Sequence, residues 1–451
     1  MAKHAFINNR KLVVTTLLGC IADDFTGATD LANNLVRAGM RVVQTNGVPT
    51  QALSAEVDAV VIALKTRTIA PADAIAQSLA ALAWLKRAGS QQIYFKYCST
   101  FDSWYGADGS TNSDTKRGNI GPVTEALMDA MGVDFTIATP AFPDNGRTVF
   151  KGHLFVCDVL LSESSMKMHP LTPMRDANLV KVMQAQCQHQ VGLIDYRTVA
   201  AGADSVRTRI AELRNQGVGI AIVDAISNED LMRLGPALAN LPLVTAGSGV
   251  AIGLPQNFGM DAKGASQATA LPPAQGWQAV VSGSCSEATN AQVAVWQASG
   301  RPHKALNLTE ILGNGEQHRA EVHQVLSWAL PLLPAGPVLI YSTADTASVK
   351  TTQAALGSDE TGARVEQALS AIAKGLVELG VQQLVVAGGE TSGACVLALG
   401  VEQMQIGPQI DTGVPWCHGF SNATGAHIHV TLKSGNFGSA DFFAKAFEML
   451  K

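Results

Sequence analysis

The stretch LLGCIADDFTGATD, Leu17 to Asp30, constrains this chain more than any other. Its apolar run, Leu17 to Ala22, has the length of a short buried strand. The run stops at two adjacent carboxylates, Asp23 and Asp24. Phe25, Thr26 and Gly27 then turn the chain into a helical pattern, with Ala28, Leu31, Ala32, Leu35 and Val36 on one face. In an open α/β sheet, ligands sit at the carboxyl ends of strands. Two carboxylates there do not suit a core, because unpaired buried charge is costly. They repel each other, so either one holds a raised pKa or a cation lies close. The alternative reading is a helix cap at Asp23 beside a solvated Asp24.

The same pattern of strand then charge recurs downstream. Arg41 to Thr45, Val57 to Leu64, Gln92 to Phe95 and Phe135 to Thr139 read as strands, with helices over Pro71 to Arg87 and Val123 to Met131 between them. This is the alternation of a parallel sheet. Lys65 and Arg67, Lys96 and Asp102, and Asp144 and Arg147 each follow a strand, as Asp23 and Asp24 do. Four charged groups of both signs along one sheet edge predict a polar ligand site. Its cations suit a small molecule carrying a carboxylate. Arg67, Lys96 and Arg147 are candidates to hold that carboxylate, with Ser99 and Asp102 orienting hydroxyls. His153, in a strand-like segment Val149 to Leu161, is a candidate substrate contact or a structural histidine.

At 451 residues, two domains are the default. Asn257 to Gly276, rich in Gly, Ala, Gln and Pro, reads as the linker between a first domain, 17–256, and a second, 277–451. Residues 1–16 read as an N-terminal extension. The second domain also alternates, with strands Trp277 to Val281, Val338 to Tyr341 and Gln383 to Ala387. Helices are predicted over Thr361 to Leu379 and Ala440 to Leu450, and Trp416 to His427 as a loop. Three turns rich in Gly, Ser and Thr lie at Ser282 to Ser286, Gly388 to Ala394 and Lys433 to Gly438. Such turns suit phosphates: glycine admits a close backbone approach, and free N–H groups at a helix start attract anions. Neither a P-loop nor a dinucleotide GxGxxG is present.

Composition narrows the class. Hydrophobic residues are 47% and charged residues 15%, which suits an α/β enzyme with buried strands. A net charge of −5 with no basic run gives nucleic acid no footprint. Seven cysteines without a CxxC pair fit a reducing cytoplasm, and no apolar run is long enough to span a membrane. The basic start followed by Leu18-Gly19-Cys20 mimics a short signal, but it runs straight into two aspartates as a sheet strand does.

The motifs GCIADDFTGATDLANNLVRAGM, YCSTFDS, RGNIGPV, PAFPDNGRT, GHLFV, HPLTPM, VAGGETSGA and LKSGNFG together resemble the four-carbon acid sugar kinases, closest to their 3-oxo-tetronate branch. The resemblance covers nearly the whole chain from Leu17. It implies two α/β domains, each a largely parallel sheet flanked by helices, with the active site in the cleft between them. It also implies ATP-dependent phosphorylation of the terminal 4-hydroxyl of 3-oxo-tetronate, with Mg2+ carried by the nucleotide. By resemblance, Ser286, Gly388, Gly389, Glu390, Thr391 and Gly435 are the nucleotide positions.

The catalytic assignment rests on chemistry instead. Asp24 is expected to take the proton from the attacking hydroxyl. Asp23 is expected to steady the turn, orient Asp24 or reach a magnesium-bound water. Trp104 to Asp114 is a polar insertion next to the YCSTFDS segment. Three other readings stay open: a kinase for a non-oxidised tetronate, a sugar-acid binding protein without chemistry, and a nicotinamide-dependent dehydrogenase. The oligomeric state is open too, a homodimer included.

Overall fold

The computed structural model describes residues 16–50, 53, 57–105, 116–169, 172–342 and 358–450. Nearly all of the N-terminal extension, and the insertion beyond Trp104–Tyr105, lie outside them. Among the described residues fifteen strands form one sheet. The first half supplies β1 (Leu18–Ala22), β2 (Val42–Asn46), β3 (Ala59–Ala63), β4 (Gln92–Lys96), β5 (Thr136–Thr139), β6 (Gln190–Ile194), β7 (Val218–Val223) and β8 (Leu243–Ala246). They run in the order β6-β7-β5-β8-β4-β1-β3-β2, every pair parallel. Both faces are covered, so β1 and β3 are apolar and fully buried rather than alternating.

The second half supplies β9 (Trp277–Ser282), β10 (His303–Ala305), β11 (Val338–Tyr341), β12 (Val381–Ala387), β13 (Val401–Asp411), β14 (Val414–Ser421) and β15 (Ala426–Lys433). Their order is β13-β14-β15-β12-β9-β11-β10. The last four pairings are parallel, and β13, β14 and β15 form an antiparallel meander. The two halves join edge to edge, β13 pairing antiparallel with β2 through Gln403 to Gln405 against Val43 to Thr45.

The loop expected over Trp416 to His427 is therefore mostly strand. Histidines at 418, 427 and 429 interrupt the apolar pattern that would have marked these strands in the sequence. Asn178 caps the helix Leu179–Gln184, accepting from the Lys181 amide. The linker stretch carries short helical turns. It is tied to the meander by Gln405 Nε2 to the Ala270 carbonyl (2.7 Å) and by His429 Nε2 beside the Pro272 carbonyl (3.0 Å).

Helix α1 (Phe25–Arg37) is buried along its length from Phe25 to Val36. It packs on β2 and β3 of its own half, and on β13, β14 and the helix Gly389–Leu399 of the other. Asn33 Nδ2 reaches Gln409 Oε1 of the second half at 2.6 Å, and Asn34 Nδ2 reaches the Ser248 carbonyl at 2.9 Å. The opening motif thus forms the joint between the halves.

Candidate functional site

Asp24 lies two residues beyond β1 and caps α1. Its Oδ1 accepts from the Gly27 amide (3.1 Å) and its Oδ2 from the Thr26 hydroxyl (2.9 Å). The cap is Asp24 and not Asp23, because Asp23 is turned toward β3. There Arg67 holds it with two bonds, Nε to Oδ2 at 2.8 Å and Nη2 to Oδ1 at 2.9 Å. The same Nη2 lies 2.7 Å from Asp24 Oδ1, and Nη1 lies 3.7 Å from Asp102 Oδ2. Lys96, at the end of β4 and almost wholly buried, places Nζ 3.5 Å from Asp24 Oδ1.

Burial opposes ionisation of both aspartates. At Asp24 the charges of Arg67 and Lys96, with Thr26 and the Gly27 amide, outweigh it, and its carboxyl is held below the usual carboxylate range. At Asp23 burial wins over Arg67 and pushes the carboxyl up. Arg67 is the counter-charge of this pair, and it also lines both of the cavities described next. Both oxygens of Asp24 have donors and its carboxyl is held low, which makes it a weak proton acceptor.

Two joined cavities open here. The first, of about 220 Å³, is lined from one side by Asp24, Gly27, Asp30, Lys96, Ser99, Asp102 and Arg147, and from the other by Ser434 to Phe437. The second, also about 220 Å³, lies between the N-termini of α1 and of the helix Gly389–Leu399. Lys65, Arg67, Gly389, Glu390 and Gly393 line it. Lys65 Nζ and Glu390 Oε2 meet across its mouth at 2.6 Å. Both cavities therefore lie between the halves.

The substrate candidates Lys96, Ser99, Asp102 and Arg147 come together in the first cavity. Phe101 helps aim this stretch. It takes a left-handed backbone (φ 53°), an uncommon conformation that costs of order 1–3 kcal/mol, with its ring buried edge-on against Tyr97. His153 does not join them. It sits in a separate hairpin with Nδ1 beside the Lys151 carbonyl at 2.8 Å, and lines neither cavity. His169 of the HPLTPM segment lines both.

The three glycine turns follow β9, β12 and β15, which are neighbours in the sheet, so they lie side by side. Gly388 needs its glycine: φ is +123°, and a Cβ there would meet Thr391 Oγ1 at 2.9 Å. The helix Gly389–Leu399 has no side-chain cap, so its first-turn amides are open to a ligand. Two expected donors are already engaged, the Ser286 amide by Ser284 Oγ (3.2 Å) and the Gly388 amide by the Lys433 carbonyl (2.8 Å). Ser286 acts instead through its hydroxyl, which donates to the Gly435 carbonyl at 2.5 Å.

Sequence reading missed the anchor of that third turn. Lys433 is fully buried, and its Nζ reaches Thr289 Oγ1 (2.9 Å) and the carbonyls of Ser434, Gly435 and Phe437 (3.1, 3.1 and 3.2 Å). Burial pushes its ammonium down to about 7. The only sequence signal was a lysine directly before a glycine motif.

A family model described as a sugar-binding N-terminal domain matches residues 18–254, and one described as a nucleotide-binding C-terminal domain matches residues 279–443. The chain belongs to the four-carbon acid sugar kinase family. Among its relatives, the 3-oxo-tetronate kinase of Burkholderia multivorans is 56% identical over 436 residues, covering 96% of this chain and 97% of that one. The protein of the same name from Pseudomonas fluorescens is 54% identical over 437 residues, with the same coverage. A crystal structure from Haemophilus influenzae matches with a TM-score of 0.74 and 43% identity, over 96% of this chain and 100% of that one. One from Salmonella typhimurium LT2, provisionally described as a tRNA synthase, matches with a TM-score of 0.82 and 42% identity, over 96% and 99%. In this family member no helix among the described residues is long and apolar enough to cross a membrane.

Proposed function

We propose that this chain transfers the γ-phosphoryl group of ATP to the terminal 4-hydroxyl of 3-oxo-tetronate, giving the 4-phosphate. One observation carries the reading. A single small cavity is lined by the cations and hydroxyls of the first half and by the glycine turn 434–437 of the second. A sugar acid and a phosphate chain can meet there. The names of the relatives point to the same substrate.

In this reading 17–256 is the sugar-acid domain, 257–276 the linker and 277–451 the nucleotide domain. Lys96 and Arg147 hold the substrate carboxylate, with Ser99 and Asp102 orienting its hydroxyls. Arg67 keeps Asp23 and Asp24 in place. The open amides of Gly389, Glu390 and Thr391 receive phosphate oxygens, and the Gly435 turn, braced by Ser286 and Lys433, closes on them. Phosphoryl transfer depends mainly on such positioning and charge stabilisation.

Mg2+ would neutralise phosphate charge. Asp23 and Asp24 are already paired to Arg67, and Asp24 to Lys96 as well, and no cluster suited to a metal occurs among the described residues. It would therefore travel on the phosphates. The protein would work in the cytoplasm.

The test is a panel of four-carbon sugar acids with ATP and magnesium, reading ADP release and the phosphorylated product. Phosphorylation of 3-oxo-tetronate above the others supports the reading. Preference for threonate or erythronate would move the substrate to a non-oxidised tetronate. No ATP turnover with any acid would overturn it.

A further inference from the structure

We propose that Asp30, one helical turn inside α1, is the group that accepts the proton of the attacking hydroxyl. This rests on the kinase reading above. Asp30 shares a helix face with Thr26 and Gly27, at spacings of four and three residues, and all three line the first cavity. The residue is 4% exposed. Oδ2 accepts from the Ser248 hydroxyl, while Oδ1 has no hydrogen-bond partner. Of the other carboxylates of this cavity, Asp24 is engaged at both oxygens by Gly27, Thr26, Arg67 and Lys96, and Asp102 accepts from Thr100 at Oδ1 (2.6 Å) with Arg67 3.7 Å from its Oδ2. An acceptor left unpaired in a buried site costs about 1–3 kcal/mol, which an arriving donor recovers. A substrate hydroxyl is such a donor.

The position also suits transfer. A Cβ built on Gly413, in the β13–β14 turn, would stand 2.5 Å from Asp30 Oδ1 and 2.9 Å from the Phe437 ring. Asp30 therefore touches the second half beside the turn expected to carry phosphate. As the oxygen–phosphorus bond forms, the hydroxyl proton passes to the Asp30 carboxylate. The bond from the γ-phosphorus to its bridging oxygen breaks, and that electron pair leaves with ADP. Asp30 later returns the proton to water.

Its basicity fits the task. Burial raises the carboxyl to about 7, against the lowering effect of Lys96 on β4, the Ser248 hydroxyl and Arg147, while Asp24 adds to the rise. The second-half groups packed on it, the Gly413 backbone and the Phe437 ring, do not titrate. A carboxylate that titrates near working pH is a far better acceptor than Asp24.

The experiment is kcat and kcat/KM against pH for the wild type, Asp30→Asn and Ser248→Ala. ATP binding is measured alongside by calorimetry. Wild-type kcat should fall on the acid side of about 7 with unit slope. Asp30→Asn should lose ~10²–10⁴-fold in kcat, lose that acid limb, and bind ATP as before. Ser248→Ala keeps the carboxylate but removes a donor that favours its charge, so the limb should move to higher pH. An Asp30→Asn enzyme within a few-fold of wild type, or an acid limb unmoved in both variants, overturns the proposal. A wild type that never phosphorylates a sugar acid overturns the kinase reading instead, and so the two failures are distinct.

Discussion

Replacing Arg67 by Met should expose how the first half tolerates two adjacent aspartates. Arg67 holds Asp23 at 2.8 and 2.9 Å and Asp24 at 2.7 Å, and its side chain is only 22% exposed. Removing one partner of a buried pair leaves uncompensated charge and costs about 3–5 kcal/mol. For a domain of this size that is a fall on the order of 10 °C in the first thermal transition. The pH sign is specific. In the wild type Asp24 lies below its unfolded value, so its stabilisation is full above ~4 and is lost only as pH falls further. In the variant burial is unopposed by the guanidinium, and the carboxyls rise above their unfolded values. Their penalty is then full at neutral pH and is relieved as they take up protons on acidification. Thermal unfolding followed by circular dichroism at pH 7.5 and 4.5 should show the gap to wild type narrowing at the lower pH. A fall of less than 2 °C at pH 7.5, or an equal gap at both values, would refute the reasoning.

Two other substitutions probe the two sides of the cleft separately. A Cβ at Gly27 would stand 1.7 Å from Lys96 Nζ and 2.2 Å from Asp24 Oδ1. Gly27→Ala should therefore displace the buried ammonium and raise KM for the sugar acid ~tenfold or more, about 1.4 kcal/mol, with ATP affinity held; an equal loss for both ligands would count against it. At Gly389 the nearest atom to a new Cβ is Thr26 Oγ1 at 3.9 Å, so Gly389→Val should fold normally. Its methyls crowd the open amides, and calorimetry should show ATP affinity reduced ~tenfold; undiminished affinity would remove this helix start from the nucleotide site.

The strands of the first half were legible because parallel strands buried on both faces are short apolar runs, as Leu18 to Ala22 and Ala59 to Ala63 are. The charges after them were legible for the same reason, since one sheet edge collects them. What sequence could not supply was pairing. Arg67 reads as a cation at the sheet edge, and nothing in its spacing says that its fork already holds Asp23. Asp30 reads as one polar residue of an amphipathic helix until both of that helix's flanks prove to be covered. The meander β13 to β15 was lost because it is half polar. Lys433 was lost because a buried lysine satisfied by carbonyls of its own loop leaves no mark in spacing.

The seam between β2 and β13 has a consequence for how this chain holds together. A strand at the margin of a sheet exposes a row of unpaired amides and carbonyls, which recruits other strands. In the intact chain β2 is covered by β13, which belongs to the part of the chain after the linker. Cut at residue 256, the first half would carry a bare, buried-type edge of Val-Val-Gln-Thr-Asn. Such a fragment would not stay monomeric: it would capture the complementary fragment when present and its own copies when not. The linker in this protein therefore does more than tether two workshops, for each half is the other's protection against aggregation.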